Sequence, residues 1–316
     1  MASARREGGE DDVPSMLDLV RLSPRLIYPP GGVALARQIA LLTDMGEGDE
    51  VLVVGCGKGV TLEHFVREYG VRGSGVEHDP RLVAEGTDRL RDRELATLAQ
   101  VQQGDADHLP YRDEIFDVTI GEIGMTAHAT AADAVREIVR VTRTGGAVVL
   151  VQPVWKAPVD EDRRTVLSEH LGVRPQMLVE WKRLLRAHGV EEILVEDWSD
   201  AETAFRGNAV KPFPDFAEIF SIPEKLGILR RAWRRWGWAG VRTVVARERE
   251  VHRLLTRERV LGFDLLKGVR GEDVTLTPST PSEEESATPA DEESATSAVS
   301  TRDPSDHELT LFDDTP

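Results

Sequence analysis

From residue 50 onward, short apolar runs alternate with stretches whose apolar residues recur at helical spacing. Glu50-Val51-Leu52-Val53-Val54 is a continuous apolar run, the pattern of a strand buried on both faces. A helix is predicted over 61–69 and a strand over 73–77. Pro80, at a favourable first-turn position, opens a predicted helix over 80–95. Short strands are predicted at 99–103 and 115–120, then a helix over 131–142 ended by Gly145-Gly146, and a strand over 147–151. A helix over 175–188 ends at Gly189 and leads into a strand at 190–195. Strands joined by helices of this length imply βαβ units, a parallel sheet and right-handed crossovers. Before this alternation, 16–45 reads as two helical segments around the break Tyr28-Pro29-Pro30-Gly31-Gly32. After it, about 199–257 reads as loop plus helices, and 259–266 as one more strand. The expected architecture is a doubly wound α/β sheet of seven strands with a helical insertion before the last one.

Composition changes this picture at the two ends. Residues 1–13 are polar and charged, and 272–316 are rich in Ser, Thr, Pro and acids with almost no core formers. Such segments bury too little apolar area to offset their ordering entropy, so both are expected to be disordered, leaving 14–271 as the folded domain. The net charge is −17. About −12 of it falls in the tail, while 222–260 carries about +7. An acidic body repels phosphates, so nucleic acid is not the expected partner. The single cysteine, Cys56, excludes a disulfide framework, and the eight histidines show no metal-ligand spacing. No run is apolar enough to span a membrane and the N-terminus lacks an apolar signal region, so a cytoplasmic protein is expected.

Candidate chemistry begins at Gly55-Cys56-Gly57-Lys58-Gly59, between the first strand and the next helix. Glycines there let the backbone approach a ligand, and the helix start offers free N–H groups. A phosphate-binding P-loop is excluded, because Leu52 stands where its first glycine belongs and Gly59 where Ser or Thr belongs. The dinucleotide fingerprint lacks its third glycine, at Val60, which leaves a nicotinamide cofactor as an alternative. Glu77 ends the second strand 18 residues after Gly59, where a carboxylate can accept both hydroxyls of a ribose.

With these residues in place, the stretch from about 51 to 151 resembles the class I S-adenosylmethionine (SAM)-dependent methyltransferases. The glycine turn, Gly75-Val76-Glu77-His78-Asp79-Pro80, Gly104-Asp105-Ala106 with Phe116-Asp117, and the helix and turn ending at Gly145-Gly146 look like four motifs of that family in order. The closest flavour is the small-molecule branch that includes quinone and sterol methyltransferases. The resemblance implies an antiparallel last strand and N-terminal lid helices. It also implies that Gly55, Cys56, Gly57 and Gly59 wrap the methionine part of SAM, that Glu77 binds the ribose and that His78 flanks the adenine. Asp105 and Ala106 would bind the adenine edge, and Glu122 would lie near the methionine end. The family usually carries an acid two residues before the first glycine; here that position is Val53.

Methyl transfer from a sulfonium needs an aligned nucleophile, and a base only if the acceptor must lose a proton. His128 is the best-placed base in sequence, set against a loop histidine with no role. Tyr28, Gly31 and Gly32 stand in a segment with two readings of equal weight: part of a lid that touches substrate, as similar enzymes have, or a turn that only leads into the domain. In the insertion, Leu226, Leu229, Trp233 and Trp236 fall on one helical stripe flanked by arginines, with a break at Gly237. Three readings stand for 222–257: a peripheral contact with an anionic membrane, a stripe packed on the protein's own core or capping the active site, and, least favoured, an arginine–aromatic surface for single-stranded nucleic acid. Three functions remain in play: a methyltransferase acting on a small, hydrophobic or lipid-like acceptor; a non-catalytic SAM-binding scaffold; and an NAD-dependent oxidoreductase.

Overall fold

The computed structural model describes residues 14–24, 26–199, 221–258 and 260–272, all within the compact unit Met1–Asp273. Side chains are described in the helix at 221–258 only as far as 242, and at 245. The expectations for 1–13, for 200–220 and for the tail from 273 lie outside the described residues.

Two short helices come first, α1 (Met16–Arg21) and α2 (Gly32–Leu42). The alternating part follows as β1 (Glu50–Val54), α3 (Val60–Tyr69), β2 (Arg72–Glu77), α4 (Pro80–Asp92), β3 (Ala99–Gln103), β4 (Phe116–Gly121), α5 (Ala131–Val141) and β5 (Thr142–Trp155). Then come α6 (Glu161–Leu171), β6 (Gln176–Met177), α7 (Leu178–Ala187), β7 (Val190–Asp197), α8 (Ile222–Glu258) and β8 (Leu261–Arg270). The strand order is β3-β2-β1-β4-β5-β8-β7, with the two-residue β6 paired to the end of β5. Strand β8 runs antiparallel to both β5 and β7, and the other pairs are parallel. The doubly wound sheet with an antiparallel last strand is therefore present, β6 being the strand beyond the expected seven.

The continuous apolar runs follow from burial on both faces. In β1, Val51 and Val53 pack with Leu62 and Phe65 of α3 and with Ile39 of α2. Leu52 and Val54 point the other way, into a second core with Ala134 and Ile138 of α5 and Trp181 of α7. Strand β5 alternates likewise, with Val149 and Val151 in the first core and Val148 and Leu150 in the second. Val53 is fully buried among apolar side chains, so in this chain that position serves packing.

Several boundaries differ from the pattern. Gly145-Gly146 does not end α5 but lies inside β5, beside a register shift between Phe116 and Val118. Helix α6 was not anticipated, because only Leu167 of its central apolar pair is buried while Val166 faces out. Strand β8 runs to Arg270, whose guanidinium donates to the carbonyls of Val139 and Arg140 at the end of α5. The expected break at Gly237 is a kink within α8, at φ 74° and ψ −174°.

Candidate functional site

The strand order reverses between β1 and β4, which leaves a crevice outside the carboxyl ends of β2, β1 and β4. The turn from β1 to α3 forms its floor. Gly55, Gly57 and Gly59 all have positive φ, at 74°, 55° and 68°. For Gly55 this is compounded by close packing: a Cβ there would lie 2.5 Å from the backbone nitrogen of Met125. A Cβ on Gly57 would meet nothing within 4 Å, so this glycine faces open space. The turn is tied to β2 by the Gly55 and Cys56 N–H groups, which both donate to the Val76 carbonyl.

Glu77 closes β2 with 1% of its surface exposed. Its carboxylate accepts from the Gly57 N–H at 3.0 Å, from the Asp79 N–H at 3.1 Å, and from Arg21 Nη2 at 3.2 Å. Buried charge of this kind persists only when paired and hydrogen-bonded. The next residues are set by a helix cap: Asp79 accepts from the Arg81 N–H, with Pro80 opening α4. His78 Nδ1 is 2.5 Å from Asp105 Oδ1, and its ring stacks on His128 with centroids 3.9 Å apart. Burial and the neighbouring His78 hold the His128 imidazole below the usual range.

The cleft spans about 270 Å³, part of it open to solvent. It brings together Gly55, Glu77, His78, Asp105, Ala106 and His128 of the sequence-derived candidates, and adds Gly124, Met125 and Ala129. Cys56 belongs to the turn, but its side chain is buried in the first core and burial pushes its thiol up, so it supplies packing and no thiolate. Glu122 follows β4 and is buried; burial raises its carboxyl from 4.5 to about 7, with a hydrogen bond from Thr61 opposing and Glu77 adding to the shift. Its carbonyl and that of Gly121 both accept from Gln152 Nε2.

The expected lid residues do not line this cleft. Tyr28 meets His64 edge-on over α3, and Gly31 packs beside Leu35 and Trp198. Gly32 is the buried first residue of α2. The N-terminal residue that touches the cleft wall is Arg21, through Glu77, and it had no sequence signal beyond a positive charge at the end of a short apolar helix. Its helix is held from behind: Leu19 of α1 packs with Ile228, Ala232 and Val241 of α8, while Arg231 Nε donates to the Leu22 carbonyl at 2.8 Å. Lys58 Nζ donates to the Ser23 carbonyl at 2.7 Å.

The residues present suit an adenosyl group. A buried carboxylate for hydroxyls sits at the end of β2, two stacked rings and a second carboxylate stand beside it, and the glycine turn faces open space at Gly57.

A family model described as a methyltransferase domain matches residues 52–150. The methyltransferase GfsG of Streptomyces halstedii is 29% identical over 209 residues, 64% of this chain and 74% of that protein. A ubiquinone/menaquinone biosynthesis C-methyltransferase, UbiE of Idiomarina loihiensis, is 32% identical over 107 residues, covering 33% of this chain and 43% of its own length. The chain therefore spans less than half of that relative. Among solved structures, phosphoethanolamine N-methyltransferase 2 of Haemonchus contortus with S-adenosyl-L-methionine has a TM-score of 0.59 at 16% identity, over 81% of this chain and 57% of that one.

Proposed function

We propose that this chain, a member of the class I SAM-dependent methyltransferases, transfers a methyl group to a small, hydrophobic or lipid-like acceptor. SAM, when bound, supplies an electrophilic methyl on its sulfonium. The chain's part is to bind and orient. Glu77 would hold the ribose, His78, His128, Asp105 and the Ala106 amide the adenine, and the turn at Gly55–Gly59 the methionine part. Glu122 would stand near the methionine end. His128, stacked on His78, is read here as a wall of the base slot in preference to a proton acceptor. The observation that carries this reading is the buried Glu77 carboxylate beneath a glycine turn with open space in front of it.

Calorimetric titration tests it. Wild type is expected to bind SAM and S-adenosylhomocysteine at micromolar concentration, with both Glu77→Ala and Asp105→Ala weakening binding at least about tenfold. NADH binding in place of the adenosyl ligands would overturn the reading and restore the nicotinamide alternative. The methyltransferases named above lend that alternative and the non-catalytic scaffold no support.

The acceptor class rests on α8. Ile222, Leu226 and Trp233 are exposed along one helical face, with Arg230 and Arg234 exposed on its flank and Arg235 exposed farther round the helix. Trp238 is exposed beyond the kink. A basic helix with exposed tryptophans suits the surface of an anionic membrane from which a lipid-like acceptor could enter. Among the described residues no helix is long and apolar enough to cross a membrane. Flotation with anionic vesicles tests this contact.

A further inference from the structure

We propose that the carboxylate of Asp264 and the side-chain carbonyl of Gln152 form a subsite for a hydroxyl group of the methyl acceptor. The inference rests on the methyltransferase reading above and adds to it a chemical requirement on the acceptor: a hydrogen-bond donor carried by an apolar body.

Strand pairing brings the two residues together. Gln152 of β5 lies directly opposite Asp264 of β8, and opposite residues of an antiparallel pair have Cβ atoms about 4.5–5.5 Å apart. Both lie on the face of the second core, where Leu150 and Val154 flank Gln152 and Leu266 follows Asp264. Gly121, the last residue of β4, pairs with Leu150, so Gln152 stands just past the carboxyl end of β4. This is the sheet edge that carries the cofactor cleft. Gln152 Nε2 donates at 2.8 Å to the carbonyl of Glu122, which opens the turn carrying Gly124 and Met125 of the cleft wall.

The two side chains are 1% and 0% exposed, yet each keeps an oxygen without a partner, Gln152 Oε1 and Asp264 Oδ2. Buried polar atoms are nearly always hydrogen-bonded, so two adjacent exceptions ask for a donor. Their chemistry is fixed by their other bonds. The Gly121 and Glu122 carbonyls both accept from Gln152 Nε2, so the amide cannot turn over and its far end presents only an acceptor. Lys156 Nζ donates to Asp264 Oδ1 at 2.5 Å and to Asp197 at 2.9 Å, which matches the charge of Asp264 and leaves Oδ2 as a second acceptor.

Two adjacent acceptors select the group that meets them. A carbonyl or an ether has no hydrogen to give, and an anionic head would face the carboxylates of Asp264 and Asp197. An ammonium could donate, but the Trp181 indole N–H in the same core is also buried and unpartnered, and only a group with a lone pair answers it. A hydroxyl both donates and accepts. Val154, Leu266 and Trp181 provide apolar surroundings for the body that carries it. The polar strip reaches the surface through Lys156 and Asp197, whose side chains are 28% and 60% exposed, which gives the hydroxyl a way in.

Phenol and fluorobenzene are the probes, because they are nearly equal in size and only phenol carries a donor. Titrations followed by ligand-observed NMR, on the full chain saturated with S-adenosylhomocysteine, are expected to show phenol binding at least about tenfold more tightly. In Asp264→Asn the amide carbonyl keeps Lys156 and the NH2 takes the place of Oδ2, so that ratio should fall to one or below while the affinity for S-adenosylhomocysteine is unchanged. A crystal soaked with phenol should place its oxygen within hydrogen-bond distance of Asp264 Oδ2 and Gln152 Oε1, and that crystal decides alone should Asp264→Asn fail to fold. Equal binding of the two probes, a ratio unchanged in Asp264→Asn, no binding of phenol, or a water held at the two oxygens with phenol elsewhere overturns the subsite and leaves the methyltransferase reading intact. If S-adenosylhomocysteine itself did not bind, both readings would fall.

Discussion

The cofactor cleft and the flank of α1 and α8 are built in opposite ways. In the cleft the decisive contacts join residues close in sequence: Gly57 to Glu77 across 20 positions, His78 to Asp105 across 27. On the flank Arg231 reaches the Leu22 carbonyl across 209 positions, and Ile228 and Ala232 pack on Leu19. The first kind is written into turns and caps, whose residue types announce their backbone geometry. The second kind depends on which two apolar faces meet, and many faces would satisfy the same pattern. The cleft also carries buried carboxyls, whereas the flank core is apolar. One region spends stability on function; the other supplies stability and presents an outer face.

The largest effect should separate two glycines of one turn. Gly55→Ala forces a Cβ to within 2.5 Å of the Met125 nitrogen at φ 74°, and is expected to cost about 3 kcal/mol or more, or to prevent folding. Gly57→Ala, at φ 55° with nothing near its Cβ, should cost only about 1–2 kcal/mol in the fold. Its consequence should appear instead as a loss of SAM affinity of at least about tenfold, because the methyl would stand in the space kept for the ligand. Thermal denaturation and calorimetry on the two variants check this. A stability loss in Gly57→Ala equal to that in Gly55→Ala would mean that the turn is glycine-rich for packing alone.

The next effect tests whether the cleft carries an electrostatic cost. Burial raises the Glu122 carboxyl from 4.5 to about 7. Below pH 4.5 the group is neutral in both the folded and the unfolded chain, and nothing is lost. As the pH rises, the unfolded chain releases its proton while the fold retains it, so stability falls until about pH 7 and then levels. Glu122→Gln removes that loss. It should stabilise the protein by up to about 3 kcal/mol above pH 7 and by nothing below pH 4.5, measured as the difference in denaturation midpoint across pH. A difference that stays flat from pH 5 to pH 8 would show that Glu122 is already ionised in the fold.

These contrasts explain how much could be read beforehand. The succession of strands along the chain, the glycine turn and the strand-end Glu77 were legible, because each is fixed by a local period or by a residue type that few conformations accept. Helix α6 was legible only at its ends: Asp160 accepts from the Arg163 N–H and Gly172 closes it at positive φ, while its apolar stripe is too thin to register. Arg21 was not legible at all. Its pairing with Glu77 depends on α8, far away in the chain, holding α1 in place, and nothing within 16–21 marks it. For Tyr28, Gly31 and Gly32 the sequence left a lid and a domain-entry turn equally open. Their turn-forming composition is real, but the turn serves entry into α2 and packing on His64 and Trp198.

The smallest effect on stability should come from the outer face of the flank, and it is there that the two regions differ most sharply in kind. Of the four stripe residues, Leu229 and Trp236 are half-buried and pack with the α1 cluster, whereas Leu226 and Trp233 face outward. The helix therefore divides its apolar surface between the protein's own core and the outside. Trp233 is 56% exposed and Trp238 69%, so replacing both by serine should change stability by no more than about 0.5 kcal/mol each, the range for surface substitutions. If the face meets an anionic membrane, the same double variant should lose most of its flotation with vesicles containing phosphatidylglycerol, and added salt should weaken wild-type binding through Arg230, Arg234 and Arg235. Neutral vesicles provide the control for the charge contribution. Flotation unchanged in the double variant would end the membrane reading. A stability loss of 2 kcal/mol or more would place the tryptophans in the core after all, and would return the whole of α8 to the role that Ile228 and Ala232 already fill.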